Sequence, residues 1–408
     1  MLKLNNELKL IPIFLFKGLI YLYVISFLSK TDYGLYAFLI VMSYNITRFL
    51  DFGTTEGIIA HEIKKESLNN LYYIMGIKII VSLVVPAILI TIDLIFNIGI
   101  STIYLFFGCY FIVFSREYVS QFFLIIWEKI YGNKIIRSNL MLSTTGLQVI
   151  LFGILYLCNQ TLSIEQVIVV NLISILAILI CFFWAQVHES LKLNTFLKKL
   201  PNLYLSNFQQ HKTQIRITWI SIFNKILEAN VLFFFAGVEQ YAEYALYLAI
   251  VAFMSTLLKY FRVRSIPMVN AYKNELINYK FFIISLSLLC FLGFLIIYIL
   301  ILGTVTQLNT IWYVKGVLLL SLLAPPVGLA MLFDWIYTVI LRQSINQRLE
   351  VNKIILGIGI SYLGTILVSF SIWLGQEGYS LLAIIACKDF VVLLVLILYT
   401  ALKVNHFE

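Results

Sequence analysis

The sequence predicts an all-α, polytopic membrane protein with about twelve transmembrane helices in two pseudo-symmetric six-helix bundles around a central cavity. Three observations predict this fold. The chain of 408 residues is 61% hydrophobic and only 12% charged, its apolar residues form stretches long enough to cross a bilayer, and short motifs recur between its two halves. A soluble domain of this length needs a far more polar surface, so the composition excludes one.

The predicted spans follow from the length of helix that crosses the hydrocarbon core, about 20 residues. They cover residues 10–29, 33–53, 71–95, 98–115, 140–158, 164–186, 215–236, 241–262, 281–302, 315–340, 353–374 and 379–402. Short links at 30–32 and 237–240 predict hairpins. The first apolar run has no small-residue cleavage site, so we expect a retained helix rather than a signal peptide.

Basic residues lie almost entirely on one side of the predicted membrane. The N-terminus and the connections after even-numbered spans carry most lysines and arginines, whereas the opposite side has only Lys30 and Lys315. The positive-inside rule therefore predicts a multi-pass membrane protein with both termini in the cytoplasm. The same asymmetry explains the net charge of +9, so no nucleic-acid partner is predicted.

The chain also predicts two related halves. Residues 1–186 form the expected N-terminal bundle, 187–214 a cytoplasmic linker, and 215–408 the C-terminal bundle. The segments 33–36 (YGLY) and 244–247 (YALY) align at an offset of 211, and Gly146 aligns with Gly359 at 213. Because each half has an even number of spans, both have the same orientation, and such halves can rock around a central cavity in alternating access.

Cations inside predicted spans are the first candidate site residues. A charge near the bilayer centre costs about 2.5–3.5 kcal/mol, so it usually faces a cavity or a partner. The candidates for binding substrate are Lys17, Arg48, Lys78 and Lys225. A cluster of cations in a low-dielectric cavity suits a strongly anionic substrate such as a diphosphate. For Lys17 and Lys78, snorkelling to the interface stays an alternative, and Arg48 could simply pair with Asp51.

Carboxylates inside the spans form the second set. Asp51, Glu228 and Asp334 are candidates for coupling to protons or sodium, or for pairing with the cations. Lys225 and Glu228 lie three positions apart near mid-span, and they could neutralise each other. No histidine or cysteine has metal-ligand spacing, so the sequence predicts no metal, no cofactor and no catalytic residue.

Two stretches of the chain resemble a known family. The first is ISFLSKTDYGLYAFLIVMSYNITRFLDFGTTEGIIAHEI, which contains the segments 32–36 (DYGLY) and 51–53 (DFG), and the second is residues 341–375. They resemble polysaccharide flippases of the multidrug/oligosaccharidyl-lipid/polysaccharide (MOP) exporter superfamily. The sequence departs from the family pattern at Leu28-Ser29, where Leu-Gly is usual, and at Ala245, where the family has glycine.

This resemblance implies an inner-membrane flippase of MOP/MATE-like fold for undecaprenyl- or other polyprenyl-diphosphate-linked oligosaccharides, such as O-antigen, lipopolysaccharide or capsule repeat units. Lys17, Arg48 and Lys78 would contact the diphosphate or acidic sugars, and Asp51, Glu228 and Asp334 would serve pairing or coupling. The implied partners are the lipid-linked glycan, membrane lipid and other membrane proteins of polysaccharide assembly.

Three alternatives stay open. An exporter of small cationic drugs in the same superfamily would favour a cavity dominated by carboxylates. A membrane-embedded polysaccharide polymerase or ligase would need a large external loop, whereas the predicted external connections are short. A non-transporting scaffold has little use for buried charge such as Lys225 and Glu228.

Overall fold

The fold was analysed in a computed structural model, which describes residues 10–50, 91, 100–115, 134–158, 162–186, 212–246, 248 and 350, and six positions between 353 and 360. The regular structure of these residues is helical. The chain divides into two compact units, Met1–Ile222 and Phe223–Glu408. The predicted linker at 187–214 lies mostly outside the described residues, so the predicted domain boundaries stay predictions.

The described helices occupy predicted spans. They are α1 (Leu10–Phe27), α2 (Lys30–Leu50), α3 (Ile100–Phe114), α4 (Lys134–Cys158), α5 (Ile164–Gln186) and α6 (Lys212–Val231). The largest difference is at the start of α4, which begins at Lys134 rather than at 140 because polar residues continue the helix past the apolar stretch. The predicted spans 71–95, 281–302, 315–340 and 379–402, and most of 241–262 and 353–374, lie outside the described residues.

Serine side chains cap two of these helices. At the start of α2, the Ser29 hydroxyl accepts a hydrogen bond from the Asp32 amide (3.0 Å) and donates one to the Asp32 carboxylate (2.7 Å). At the start of α5, the Ser163 hydroxyl accepts from the Gln166 amide, and the Gln166 side chain accepts from the Ser163 amide. Each serine hydroxyl caps one amide that a helix start leaves without a partner, and the Ser163–Gln166 pair is a reciprocal capping box. Ser29, the departure from the family's glycine, therefore starts α2.

Packing in the first unit pairs α2 with α3 and α1 with α4, while α5 packs against both α3 and α4. Glycine makes one of these approaches possible. A Cβ atom placed on Gly108 of α3 would lie 2.5 Å from the Cγ2 atom of Ile168 on α5. Small residues at such crossings let helix backbones come close, as is usual between transmembrane helices.

Exposed and buried side chains have the distribution expected of helices in lipid. Stripes of large apolar residues at helical spacing are exposed on α4 and α5: Ile150, Ile154, Leu157, Val169, Ile173 and Leu176. Polar groups lie inside instead. The Gln148 side-chain amide donates from Nε2 to the side-chain Oδ1 atom of Asn171, which joins α4 to α5 (2.8 Å), and Ser174 is fully buried. Interhelical amide hydrogen bonds of this kind hold membrane helices together.

The end of α6 departs from a regular helix. A π-helical turn, Leu232–Ala236, follows it and leads into Gly237, whose φ of 89° requires glycine at this turn. Helical residues 238–246 come next. Within the described part of the chain, one helix, Ile215–Phe235, is long and apolar enough to cross a membrane, with a mean hydropathy of 1.3, and four shorter apolar helices accompany it.

Candidate functional site

Arg48 lies in the last turn of α2 and is folded back along the helix. Its guanidinium lies 5.8 Å from the centre of the Tyr44 ring and donates to the Tyr44 hydroxyl at 3.4 Å. The four-residue spacing places both side chains on one face of α2. The guanidinium is therefore held by a cation–π contact as well as by this hydrogen bond.

The next residue, Phe49, is held by a residue distant in the sequence. The Trp219 indole N–H donates to the Phe49 carbonyl oxygen at 3.2 Å, and the two rings stack with centroids 4.9 Å apart. Both residues belong to the first unit. The end of α2 is therefore fixed beside Arg48 by a contact with α6.

Glu228 is a buried carboxylate with a described donor. The side chain is 8% exposed, and the Tyr244 hydroxyl donates to its Oε1 atom at 2.6 Å. Glu243, next to Tyr244 in the chain, is also buried, at 8% exposure. A buried carboxylate needs donors or a counter-charge, and the Tyr244 hydroxyl supplies one such donor to Glu228.

The two copies of the sequence motif have equivalent local structures. In each, the first tyrosine is buried and its hydroxyl reaches back to the preceding helix: Tyr33 is hydrogen-bonded to the Tyr21 hydroxyl, and Tyr244 to Glu228. The next position is buried in both copies and occupied by a small residue, Gly34 or Ala245. The likeness is confined to these two local contacts, and the repeat of the two halves stays a prediction.

Of the other predicted site residues, the structure describes Lys17 and Lys225. Lys17 lies on α1 in the first unit and is partly exposed, whereas Lys225 lies on α6 in the second unit and is exposed. Lys225 and Glu228 thus have different environments although they are only three positions apart. Lys78, Asp51 and Asp334 lie outside the described residues. All of these assignments stay predictions.

Two asparagines carry buried polar atoms. Asn45 on α2 is 1% exposed, and neither its Oδ1 nor its Nδ2 atom has a hydrogen-bond partner within the described part of the chain. Asn224 on α6 has a buried Oδ1 atom in the same condition, and this atom packs directly against Gly359, where a Cβ atom would collide with it. Buried amides without partners are costly, which marks both positions for functional tests.

The aromatic residues that contact Arg48, Phe49 and Glu228 were not predicted from the sequence. Tyr244 was visible only as a member of the repeated motif, and its position after an acidic residue was the available signal. Trp219 and Tyr44 gave no signal, because the chain has 25 tyrosines and 6 tryptophans and most such residues are packing or interface residues. Among the described residues, no group of three or more metal-ligating side chains is close enough to hold a metal ion.

No protein-family profile and no curated protein sequence matches the chain. Several solved structures do match the chain. The chain is similar to the inward-facing form of a MATE-family multidrug resistance transporter of the MOP superfamily, with a TM-score of 0.58, 15% identity, and coverage of 94% of this chain and 96% of that one.

Two further solved structures are similar over nearly the whole chain. The outward-facing form of a MATE-family multidrug resistance transporter of the MOP superfamily has a TM-score of 0.51 and 13% identity, and coverage is 97% of this chain and 94% of that one. A MATE protein in complex with MaD3S has a TM-score of 0.50 and 14% identity, with the same two coverages.

These likenesses define the class of fold. The chain has the helical fold of MATE transporters of the MOP superfamily, a fold of multi-pass membrane proteins. The prediction of a helical, MOP/MATE-like fold is thereby confirmed. The number of helices, their division into two six-helix bundles, the inner-membrane location and the cytoplasmic termini stay predictions.

Proposed function

We propose that this protein is a membrane exporter that moves a polyprenyl-diphosphate-linked oligosaccharide from the cytoplasmic to the external leaflet of the inner membrane by alternating access. The observation that carries the proposal is Arg48, a cation at the end of a membrane helix with its guanidinium held on Tyr44. The fold shared with MATE transporters and the flippase-like motifs around Arg48 support it.

The side-chain chemistry of Arg48 favours a phosphate group as the part of the substrate that is bound. A guanidinium presents a planar fork of N–H donors that matches two phosphate oxygens, and the low dielectric of a membrane protein strengthens such a pair. Lys17, a point charge on α1, adds to the field that attracts an anion. Lys78 and Lys225 complete the proposed cationic set. The polyprenyl chain stays in the bilayer, so only the diphosphate and the sugars need a polar path.

Glu228 is the proposed residue for ion coupling. Asp51 and Asp334 are proposed for the same role or for pairing with the cations. A buried carboxylate that exchanges a proton or sodium ion changes its charge, and its contacts differ between the two states of a transporter. The Tyr244 hydroxyl donates to this carboxylate, so a change in the carboxylate would alter this contact. An ion gradient could then drive the conformational cycle through Glu228.

A second candidate is export of small cationic molecules. Two buried carboxylates, Glu228 and Glu243, favour it because they would attract positive charge. The described similar structures include multidrug resistance transporters, which gives this candidate the same fold-level support. In that case Arg48 would be dispensable for transport and Glu228 would be essential.

Reconstituted vesicles distinguish the two candidates. A fluorescent polyprenyl-diphosphate oligosaccharide is placed in both leaflets, and an impermeant bleaching agent reports how fast the inner pool becomes accessible. We expect the wild type to flip this lipid and Arg48→Ala to flip it more slowly by about tenfold or more. The control Arg216→Ala removes an exposed arginine of α6 and should flip the lipid at the wild-type rate. Glu228→Gln should change the dependence on proton and sodium gradients.

A different set of results in these assays would contradict the flippase proposal. If the wild type transports ethidium and not the lipid, and Glu228→Gln abolishes that transport while Arg48→Ala leaves it unchanged, export of cations replaces the flippase proposal. Incorporation of the labelled oligosaccharide into longer chains without any flipping would support the polymerase alternative.

A further inference from the structure

The first two turns of α6 carry two exposed cations on one side. Lys212 and Arg216 are both exposed, and within the described part of the chain neither has a carboxylate partner. At 100° per residue, Lys212, Arg216 and Trp219 lie within about 60° of one another around the helix. This side of α6 therefore combines two cations with an indole ring.

The apolar part of the helix defines the depth of these residues in a membrane. The stretch that is long and apolar enough to cross a bilayer is Ile215–Phe235. Lys212 precedes this stretch, Arg216 lies in its first turn, and Trp219 follows one turn further in, about 10 Å from Lys212 along the axis. Long basic side chains at such an end extend to the lipid headgroups, and tryptophan is enriched at the same level. The order of the three residues is that of a helix end at the bilayer surface.

A second aromatic ring enlarges this surface. Phe49 stacks on Trp219 with ring centroids 4.9 Å apart, and it stays 42% exposed. Trp219 is itself partly exposed. An exposed aromatic pair therefore lies one turn along α6 from Arg216, where acyl chains can contact the rings while a phosphate contacts the cations.

The charge of the surface indicates which partner it fits. Each lysine or arginine near a bilayer surface strengthens the attraction of anionic lipids. Residues 187–211, which lead into α6, add Lys192, Lys198 and Lys199 against a single carboxylate, Glu189, so their charge has the same sign. A second copy of the chain would bring identical cations together in a two-fold interface, which like-charge repulsion opposes.

We propose that Lys212 and Arg216, with the ring of Trp219 one turn deeper, bind the phosphate headgroup of an anionic phospholipid at the membrane surface. The lipid in question is one that surrounds the protein, so the site does not depend on the proposed function. It gives neither cation a part in transport, and Arg216→Ala in vesicles of neutral lipid alone keeps the wild-type flipping rate.

The test follows the fluorescence of Trp219 in the purified full chain, reconstituted in phosphatidylcholine vesicles. Phospholipids with brominated acyl chains quench a tryptophan that they contact, and they are added in small amounts with either a phosphatidylglycerol or a phosphatidylcholine headgroup. The difference between each protein and its Trp219→Phe version isolates the signal of Trp219 from that of the other tryptophans. We expect brominated phosphatidylglycerol to associate about fivefold or more tightly than brominated phosphatidylcholine, and this preference should fall as salt is raised.

Charge variants locate the preference. Lys212→Gln and Arg216→Gln should each reduce it, and the double variant should bring the two association constants close to equality. Lys353→Gln is the matched control, because it removes an exposed cation of the second unit and should leave the preference at the wild-type value. All three positions are exposed, so we expect thermal unfolding midpoints equal to that of wild type.

Four results would overturn the proposal. Two of them are equal quenching by both headgroups in the wild type and a preference that survives in the double variant. Absence of quenching by either lipid would show that protein, a second copy or another partner, covers the surface. Loss of the preference with inorganic phosphate, but not with chloride at the same ionic strength, would assign the cations to a free anion. The proposed flippase is tested separately, by the vesicle assay of the lipid-linked glycan.

Discussion

At the scale of single residues, the Tyr244 hydroxyl forms a hydrogen bond with the buried Glu228. The bond from Tyr244 is 2.6 Å long and lies in the buried part of the second unit. Removing only the hydroxyl leaves the ring in place, so the carboxylate loses a donor without a change in packing. The loss of one donor to a buried acceptor reduces the free energy of unfolding.

Tyr244→Phe is therefore expected to destabilise the folded protein by about 1 kcal/mol, the range measured for hydrogen bonds inside membrane proteins. The measurement is reversible unfolding by titration with a denaturing detergent. Tyr104→Phe is the matched control, since Tyr104 is 69% exposed and its hydroxyl should contribute little. Equal stability of Tyr244→Phe and wild type would contradict the assigned role of the hydroxyl.

The candidate site could be predicted from sequence only where a residue contrasts with its surroundings. Arg48 and Glu228 are charges in apolar stretches, and the cost of burying charge makes them visible. Tyr244 and Trp219 are aromatic residues among many, and what distinguishes them is a partner 16 or 170 positions away. Contacts over such distances depend on how helices cross, which a single sequence does not encode in any local pattern.

At the scale of helices, the positions of the described helices could be predicted from the apolar stretches, but some of their ends could not. Apolar length placed α5 at its observed bounds, Ile164–Gln186. It missed the first turns of α4, because Lys134 and its neighbours are polar and a helix can continue beyond the apolar core of a membrane. The serine caps at Ser29 and Ser163 could have been predicted from their spacing to Asp32 and Gln166, which is the capping-box pattern.

The crossing of α3 and α5 provides a test of helix packing. Gly108→Ala would place a methyl group 2.5 Å from Cγ2 of Ile168, a β-branched residue that has little rotamer freedom in a helix. We expect a loss of about 1–3 kcal/mol in the free energy of unfolding, as for other overpacked positions. Gly153→Ala is the control, since nothing lies within 4 Å of its added Cβ atom.

The same unfolding titration measures both glycine variants. The expected order is Gly153→Ala equal to or more stable than wild type, because alanine favours helix over glycine, and Gly108→Ala less stable than both. If Gly108→Ala matched Gly153→Ala, the close approach of α3 and α5 would not exist in the folded protein.

At the scale of the whole molecule, the composition predicted the class of fold and the solved structures confirmed it. A chain that is 61% hydrophobic must place most of its surface in lipid, and the similarity to MATE transporters over 94% of the chain agrees. The substrate of the proposed function could not be predicted in the same way. Transporters of one fold differ in a few site residues, and fold alone does not fix function.

The central claim is that the protein moves a lipid-linked oligosaccharide through a cationic site that includes Arg48. The most direct measurement is the leaflet location of that lipid intermediate in cells depleted of the protein and supplied with either wild type or Arg48→Ala. We expect the intermediates to be trapped on the cytoplasmic leaflet in depleted cells and to be released by wild type but not by Arg48→Ala. Normal flipping in depleted cells, or full release by Arg48→Ala, would contradict it.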